Sequence, residues 1–237
     1  MIARDQKEII LKICGLMREK DVLLCKELGV QIAGFVVDYP KAVPWNLQEQ
    51  TARRLLDFVE GPVKSCVVTG GSYEKLLGLA RRLRPDYLQL HYDEPLDVAQ
   101  RLAAALIGQN TRIIKTLPAG PQERRAQLGA AELPECLRRL RDGGIFAALV
   151  DPRTRDTAAR QGLKADVSFF READSLGILP VFLAGGITPG TVRSLLEKTG
   201  ARYLDVMSGV EASPGVKDEA KLRELTAILR EREKLDL

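Results

Sequence analysis

The sequence contains a single histidine and no cysteine pair at metal-binding spacing. The four cysteines, Cys14, Cys25, Cys66 and Cys136, lie far apart along the 237 residues and form no CxxC motif. This spacing excludes a zinc site of known pattern and argues against a disulfide framework. We therefore expect reduced thiols, and with them a cytoplasmic protein.

Long apolar runs and strong charge of one sign are also missing. No apolar stretch approaches the roughly 20 residues that cross a bilayer, and the short N-terminal one is interrupted by Lys12, so we expect neither a secretory leader nor a membrane partner. The net charge is only +4, and 5% of the residues are aromatic. The basic clusters at 81–84 and 138–141 are therefore interpreted as solvated helix faces, and no nucleic-acid partner is expected.

The sequence does contain a regular alternation of short β-branched segments and longer amphipathic ones. A hydrophobic content of 45%, with no low-complexity tract, excludes a disordered chain. The alternation predicts strands at Ile9–Cys14, Gln31–Val37, Val63–Val68, Asp86–His91, Thr111–Leu117, Ile145–Val150, Leu179–Leu183 and Arg202–Val206. It predicts helices at Arg18–Leu28, Leu47–Val59, Tyr73–Leu83, Leu96–Ile107, Glu132–Arg141, Asp166–Leu176, Thr191–Lys198 and Lys217–Glu233.

Eight strands alternating with eight helices predict an α/β fold, a single (β/α)8 barrel with a parallel eight-stranded core over residues 1–237. The alternative is an open doubly wound sheet, which usually carries GxGxxG after its first strand. Here the first turn holds only Gly15, which favours the barrel. The longest predicted connections, Pro118–Ala131 and Pro152–Ala165, follow strands 5 and 6 on the face where barrels place their active sites.

Glycine-rich turns follow the last two predicted strands. Gly185 and Gly186 come directly after strand 7, and Ser208 and Gly209 come after strand 8. Glycines allow backbone N–H groups to approach an anion closely, and the end of a following helix adds a positive dipole. Such turns at these two strands predict a phosphate site, whereas either turn alone is explained by an ordinary helix cap.

Titratable side chains stand at the ends of several other strands. Cys14 is either a thiolate base or nucleophile, or a small buried hydrophobe. Asp151 is either a helix cap or a functional acid, because a buried carboxylate needs a partner. His91 is assigned a supporting polar role, and Asp205 an anchoring role in the neighbouring loop. No companion ligands for a metal accompany His91, so no metal is expected.

Six motifs, taken in chain order, carry a resemblance to a known family. They are KICGL at Lys12–Leu16, GFV at Gly34–Val36, QLH at Gln89–His91, LAGGITP at Leu183–Pro189, DVMSGVE at Asp205–Glu211 and PGVKD at Pro214–Asp218. Together they resemble the phosphoribosylanthranilate isomerase family across nearly the whole chain. The first and last motifs are specific as a pair, whereas the AGG turn occurs in many phosphate-binding barrels.

The resemblance implies an isomerase of tryptophan biosynthesis that works without a cofactor. Its reaction is the Amadori rearrangement of N-(5′-phosphoribosyl)anthranilate, a small phosphosugar substrate. By this resemblance Cys14 is the general base that removes the C2′ proton, and Asp151 is the general acid that protonates the ring oxygen. The positions that match phosphate or polar site residues of the family are Gly185, Gly186, Ser208, Gly209, His91 and Asp205.

Two segments depart from the family pattern. An arginine that meets the anthranilate carboxylate is expected after strand 2, but Pro44 stands in its place, and Lys41 is the nearby cation that we expect to reach the substrate. The glycine-rich loop after strand 6 is replaced by 157–164, which keeps only Gly162. These departures leave open a non-catalytic or altered-substrate phosphosugar-binding barrel, or another phosphosugar isomerase or epimerase. A pocket filled by Trp45 would favour the non-catalytic alternative.

Overall fold

The sheet closes on itself through eight parallel strands. The structure is a computed structural model that describes residues 8–235 except 155, 156, 158 and 161. Within these residues the barrel strands are β1 Ile10–Ile13, β2 Ile32–Val36, β3 Lys64–Thr69, β4 Tyr87–Leu90, β5 Arg112–Thr116, β6 Ala147–Val150, β7 Val181–Ala184 and β8 Tyr203–Val206. Each strand pairs in parallel with the next, and β8 returns to β1. The predicted barrel is confirmed, and the open sheet is excluded.

Helices cover the outside of the barrel in the order that the sequence predicts. Those that the structure describes are α1 Glu19–Glu27, α2 Glu49–Leu56, α3 Tyr73–Leu83, α4 Leu96–Leu106, α5 Pro121–Leu128, α6 Leu133–Asp142, α7 Val167–Ser175, α8 Pro189–Thr199 and α9 Glu219–Leu235. α8 begins two residues before the predicted Thr191, because Thr188 is its N-cap in a capping box and Pro189 is its first residue. Most other boundaries differ from the prediction by one or two residues.

Two short segments were predicted wrongly. The connection 118–131, expected to be a loop, contains α5, which begins at Pro121 and ends at Gly129 in a left-handed conformation. The last helix was expected to begin at Lys217, but Lys217 belongs to β10, Val216–Lys217, which pairs with β9, Glu211–Ser213. Both elements are shorter than the windows in which hydrophobic periodicity is measurable.

The alternation of side chains along each strand divides the apolar core in two. Outward side chains such as Leu88 and Leu204 pack between the sheet and the helices. Inward side chains such as Ile114, Leu149 and Phe182 fill the barrel itself. Because successive side chains of a strand point to opposite faces, one inward side chain establishes which way every other side chain of that strand points.

The barrel elements run from Ile10 to Leu235, and α9 with 17 residues is the longest helix described. No helix in the described part of the chain is long and apolar enough to cross a membrane.

The prediction that no leader is present falls on residues 1–7, outside the described residues, and the single domain over 1–237 stays a prediction. All four cysteines are buried free thiols. Part of the predicted loop 152–165 also lies outside the described residues.

Candidate active site

A buried ion pair lies inside the barrel at the junction of β1 and β8. The register of these strands places Lys12 beside Asp205, and both side chains point inward. The Lys12 Nζ lies 2.6 Å from Asp205 Oδ2, and the lysine side chain is fully buried. Burial alone lowers the pKa of Lys12, but the adjacent Asp205 carboxylate together with Cys14 and Cys66 outweighs burial and raises the pKa above its ordinary value. The pair therefore places two charges in the barrel core with no net charge.

Two buried acceptor atoms, one of them in this pair, have no hydrogen-bond partner among the described residues. They are Oδ1 of Asp205 and Oε1 of Gln89, and both residues line the cavity at the mouth of the barrel. Buried polar atoms are rarely left unpaired, because an unmade hydrogen bond costs about 1–3 kcal/mol. A ligand that brings hydroxyl donors to this position would satisfy both atoms.

Cys14 extends the inward positions of β1 by two residues beyond Lys12. Its backbone N–H donates to the carbonyl oxygen of Val206 at 2.8 Å, which holds the residue against β8. Its side chain lines the cavity. Burial raises the pKa of the Cys14 thiol, and the charge of Lys12 opposes this rise only in part. In the free protein the thiol is therefore protonated.

Asp151 follows β6 directly and is held from two sides. Its Oδ1 accepts a hydrogen bond from the backbone N–H of Arg153 at 2.8 Å, and its Oδ2 lies 3.2 Å from Nε2 of His91. Burial alone raises the pKa of Asp151, but the charge of Arg153 and the hydrogen bond from His91 outweigh it and hold the pKa well below the usual range. One oxygen of Asp151 thus caps the local turn while the carboxylate group faces the cavity. The two roles predicted for Asp151, a cap and a functional acid, are therefore compatible.

The cavity at the carboxyl ends of the strands brings four predicted side chains together. Cys14, His91, Asp151 and Asp205 all line it, and it holds about 470 Å³ of empty space, including its opening to solvent. In the described part of the chain, no group of three or more His, Cys, Asp or Glu side chains is placed to hold a metal ion.

Trp45 forms one wall of this cavity. Its side chain is 1% exposed, and its indole N–H donates to Oε1 of Glu211 at 3.0 Å. Glu211 is itself paired with Nζ of Lys217 at 2.9 Å. With Trp45 in this position, the cavity volume open to the centres of water molecules is about 40 Å³. Trp45 thus fills part of the pocket and presents a rigid aromatic face to the remaining space.

The two predicted phosphate turns pack against each other beside the cavity. Gly185 and Gly186 have positive φ angles of 99° and 64°, which a residue with a side chain adopts only with strain. Gly209 packs so closely on the other turn that an added Cβ would lie 1.7 Å from the carbonyl oxygen of Ile187. The preceding residues Ala184 and Met207 line the cavity, so the turns begin where the cavity ends.

The segment after β2 does not bring its cation into the cavity lining. Val43 and Trp45 line the cavity as described, whereas Lys41 and Pro44 do not. Lys41 is half-buried and Pro44 is exposed. Contact between Lys41 and a substrate therefore stays a prediction.

Three residues of the site were not selected from the sequence as site residues. Lys12 and Gln89 stand two positions before Cys14 and His91, so strand alternation places them on the same inward face and would have identified them. Arg153 lies in an irregular loop, where no periodicity indicates direction. Its side chain nevertheless lines the cavity.

The fold and the site together define a class of protein. A parallel barrel with a thiol and a carboxylate in one cavity, and with glycine turns after its last two strands, has the features of a barrel enzyme that acts on a phosphorylated small molecule by acid–base chemistry. The model of the family described as N-(5′-phosphoribosyl)anthranilate (PRA) isomerase matches residues 11–227. The chain belongs to this family.

Individual relatives agree with the family match over nearly the whole chain. The N-(5′-phosphoribosyl)anthranilate isomerase of Halobacterium salinarum is 33% identical, over 92% of this chain and 94% of the relative. The crystal structure of phosphoribosyl anthranilate isomerase from Thermus thermophilus is 29% identical with a TM-score of 0.73, covering 94% of this chain and 98% of that one. A further phosphoribosyl anthranilate isomerase, solved with reduced 1-(o-carboxyphenylamino)-1-deoxyribulose 5-phosphate, is 25% identical with a TM-score of 0.72, covering 94% and 99%.

Removing the lysine of the buried pair is expected to destabilise the barrel. In Lys12→Met the Asp205 charge stays buried without a partner, and the free energy of unfolding should fall by about 3–5 kcal/mol. Urea denaturation followed by circular dichroism measures this change. The double variant Lys12→Met/Asp205→Leu should recover most of the loss, because neither charge remains. A loss below about 1 kcal/mol in the single variant would show that the pair behaves like an exposed ion pair.

Proposed function

We propose that this chain catalyses the Amadori rearrangement of N-(5′-phosphoribosyl)anthranilate, with Cys14 as general base and Asp151 as general acid. The observation that carries the proposal is the placement of both side chains in one cavity that ends at the glycine turns, in a chain of this isomerase family. The reaction belongs to tryptophan biosynthesis. A cytoplasmic location, expected from the thiols, accompanies the proposal.

The phosphate is proposed to bind at the turns formed by Gly185, Gly186, Ser208 and Gly209. α8 begins just after the first turn, and because Pro189 has no N–H and the Thr191 N–H is bonded to Thr188, α8 contributes the positive end of its dipole. The second turn contributes the backbone N–H groups at the start of the short 3-10 turn Ser208–Val210. Together they favour a dianion. The relative solved with a 5-phosphate ligand supports a ligand of this class.

The sugar then lies over the two unpaired acceptors. Hydroxyl groups of the ribose donate to Asp205 Oδ1 and Gln89 Oε1, which have no other donor among the described residues. This contact orients the ring between the phosphate turns and the aromatic wall at Trp45. The C2′ hydrogen is thereby offered to Cys14, and the ring oxygen to Asp151.

The chemistry requires one proton donor and one proton acceptor. Asp151 gives a proton to the ring oxygen as the bond between that oxygen and C1′ breaks, which leaves an iminium between C1′ and the anthranilate nitrogen. The Cys14 thiolate removes the proton from C2′, and the electron pair of that bond forms an enolamine. The enolamine tautomerises to the 1-amino-1-deoxyketose. No electrons enter or leave, and the proton given and the proton taken balance.

Loss of either proton-transfer group should abolish most turnover. With N-(5′-phosphoribosyl)anthranilate as substrate, loss of its fluorescence measures the rate. Cys14→Ser and Asp151→Asn should each lower kcat/KM by about 10²–10⁴-fold, because proton transfer contributes that much. Cys136→Ser is the matched control, since Cys136 is also a buried thiol but lies on α6 away from the cavity. No turnover by the unmodified chain would contradict the proposed activity.

A side chain added at the phosphate turns should weaken substrate binding. In Gly209→Ala the new methyl group collides with the Ile187 carbonyl oxygen, so the two turns must separate. Hydrogen bonds to a charged group are lost, and kcat/KM should fall about tenfold to a hundredfold. Inhibition by inorganic phosphate should weaken in parallel. Gly108→Ala is the control, because an added Cβ there meets nothing within 4 Å. Unchanged phosphate inhibition in Gly209→Ala would place the phosphate elsewhere.

The dependence of kcat/KM on pH should show that, without substrate, Asp151 is ionised and Cys14 is protonated, the reverse of what the reaction needs. The reactive form has Asp151 protonated and Cys14 ionised, but the pKa of Asp151 is lowered and that of Cys14 is raised. The reactive form is therefore a constant minor fraction of the singly protonated state between the two pKa values. We expect kcat/KM to stay level across neutral pH and to fall only above the raised pKa of Cys14, which exceeds the ordinary thiol pKa of about 8.5. A rise of kcat/KM through pH 8–9 would contradict these two pKa directions.

A further inference from the structure

Arg153 carries a cavity-facing cation with loosely placed partners. Its side chain is 15% exposed, and its Nε lies 3.6 Å from Asp151 Oδ1, beyond normal hydrogen-bond length. Its Nη1 lies 3.8 Å from the sulfur of Met207. A guanidinium offers five N–H donors in a planar fork. Among the described residues, these N–H groups meet one long ion contact and one weak sulfur contact, so much of this capacity is unused there.

An aromatic wall stands beside this cation. The Cζ atom of Arg153 lies 5.8 Å from the centre of the Trp45 ring. Trp45 is fixed by Glu211, as described above, so the arginine lies next to an aromatic ring that is held in place. A ligand that carries a carboxylate on an aromatic ring matches both groups, because the ring packs on the indole and the carboxylate takes the fork.

The other cations of the cavity region already have close carboxylate partners. Lys12 is 2.6 Å from Asp205, and Lys217 is 2.9 Å from Glu211. Arg153 has the longer contact of 3.6 Å to a carboxylate. A new anion that enters the cavity would therefore bind Arg153 more readily than either lysine, because no close ion pair has to be broken.

We propose that Arg153 receives the carboxylate on the aromatic part of the substrate, and that this contact draws its charge away from Asp151. The proposal rests on the proposed isomerase activity and names the residue that selects its aglycone. Arg153 replaces the cation that Pro44 does not supply. Lys41, the alternative expected from the sequence, does not line the cavity.

The contact has a consequence for the proton that Asp151 must hold. The charged and titratable groups around Asp151 are Arg153 beside it, His91 from β4 and Tyr39 after β2, with Cys14, Lys12 and Asp205 across the cavity. The charge of Arg153 is the largest single effect that lowers the pKa of Asp151, although burial, which raises it, is larger still. A substrate carboxylate bound to Arg153 offsets that charge, so the pKa of Asp151 rises when the substrate is in place. The substrate thereby prepares its own proton donor.

Ligand pairs that differ only in the carboxylate test the proposal. Binding of reduced 1-(o-carboxyphenylamino)-1-deoxyribulose 5-phosphate and of its counterpart without the carboxylate is measured by calorimetry. The unmodified chain should prefer the carboxylate ligand about tenfold to a hundredfold, the effect of a charged hydrogen bond. Arg153→Met should lose that preference and bind the other ligand unchanged. Arg153→Lys should keep part of it, since a point charge lacks the planar fork.

A pH readout separates a direct role of Arg153 from a merely structural one. Removal of the guanidinium raises the pKa of Asp151 in the free site, so the acidic limb of the kcat/KM profile should move to higher pH in Arg153→Met. Asp151→Asn should show no such limb. An acidic limb that stays at the position seen in the unmodified chain would overturn the coupling between Arg153 and Asp151.

Two matched variants make the outcomes distinguishable. Arg138→Met removes an exposed arginine from α6 and should leave ligand preference unchanged. Lys41→Met should also leave it unchanged, and loss of preference in Lys41→Met with retention in Arg153→Met would overturn the proposal. If the unmodified chain binds both ligands but does not turn over N-(5′-phosphoribosyl)anthranilate, the proposed activity is wrong. The binding data still decide whether Arg153 binds the carboxylate.

Discussion

The pairing of β8 with β1 is the constraint on which the rest of the structure depends. It closes the barrel, and its register sets Lys12 against Asp205 in the interior. Two buried charges are tolerated only when each finds its partner, so the ion pair requires the closed register and stabilises it in turn. Cys14 continues the same inward face by two residues, and the cavity above the pair follows from that closure.

The free site holds its protons on the groups opposite to those that the reaction needs. Burial keeps the thiol of Cys14 protonated, while Arg153 and His91 keep Asp151 ionised. Both protonation states stabilise the protein without substrate, because a buried carboxylate needs a nearby cation and a buried thiol is more stable uncharged. Catalysis on this framework requires the substrate to change the electrostatics on entry, and a substrate anion near Arg153 is a direct way to do so.

The sequence was most informative where one local pattern repeats many times. Alternating segments predicted the barrel, and glycines at 185, 186 and 209 marked turns whose backbone requires them. The pattern failed at β10, because Lys217 reads as the start of an amphipathic helix. Its backbone N–H instead donates to Asp21 Oδ2 at 3.2 Å, and its Nζ pairs with Glu211. Those partners belong to other segments, so no local window contains the reason for the strand.

The sequence by itself determined the barrel, the positions of its strand ends and the residue types that stand there, because period-two alternation and turn chemistry are local properties. Only the tertiary structure decided which of those side chains share a cavity and how their protons are held. The reason is that Coulomb energy and burial depend on distances between chain segments. Arg153 is the clearest case: its place beside Asp151 and Trp45 results from how the loop after β6 packs against the turn after β2.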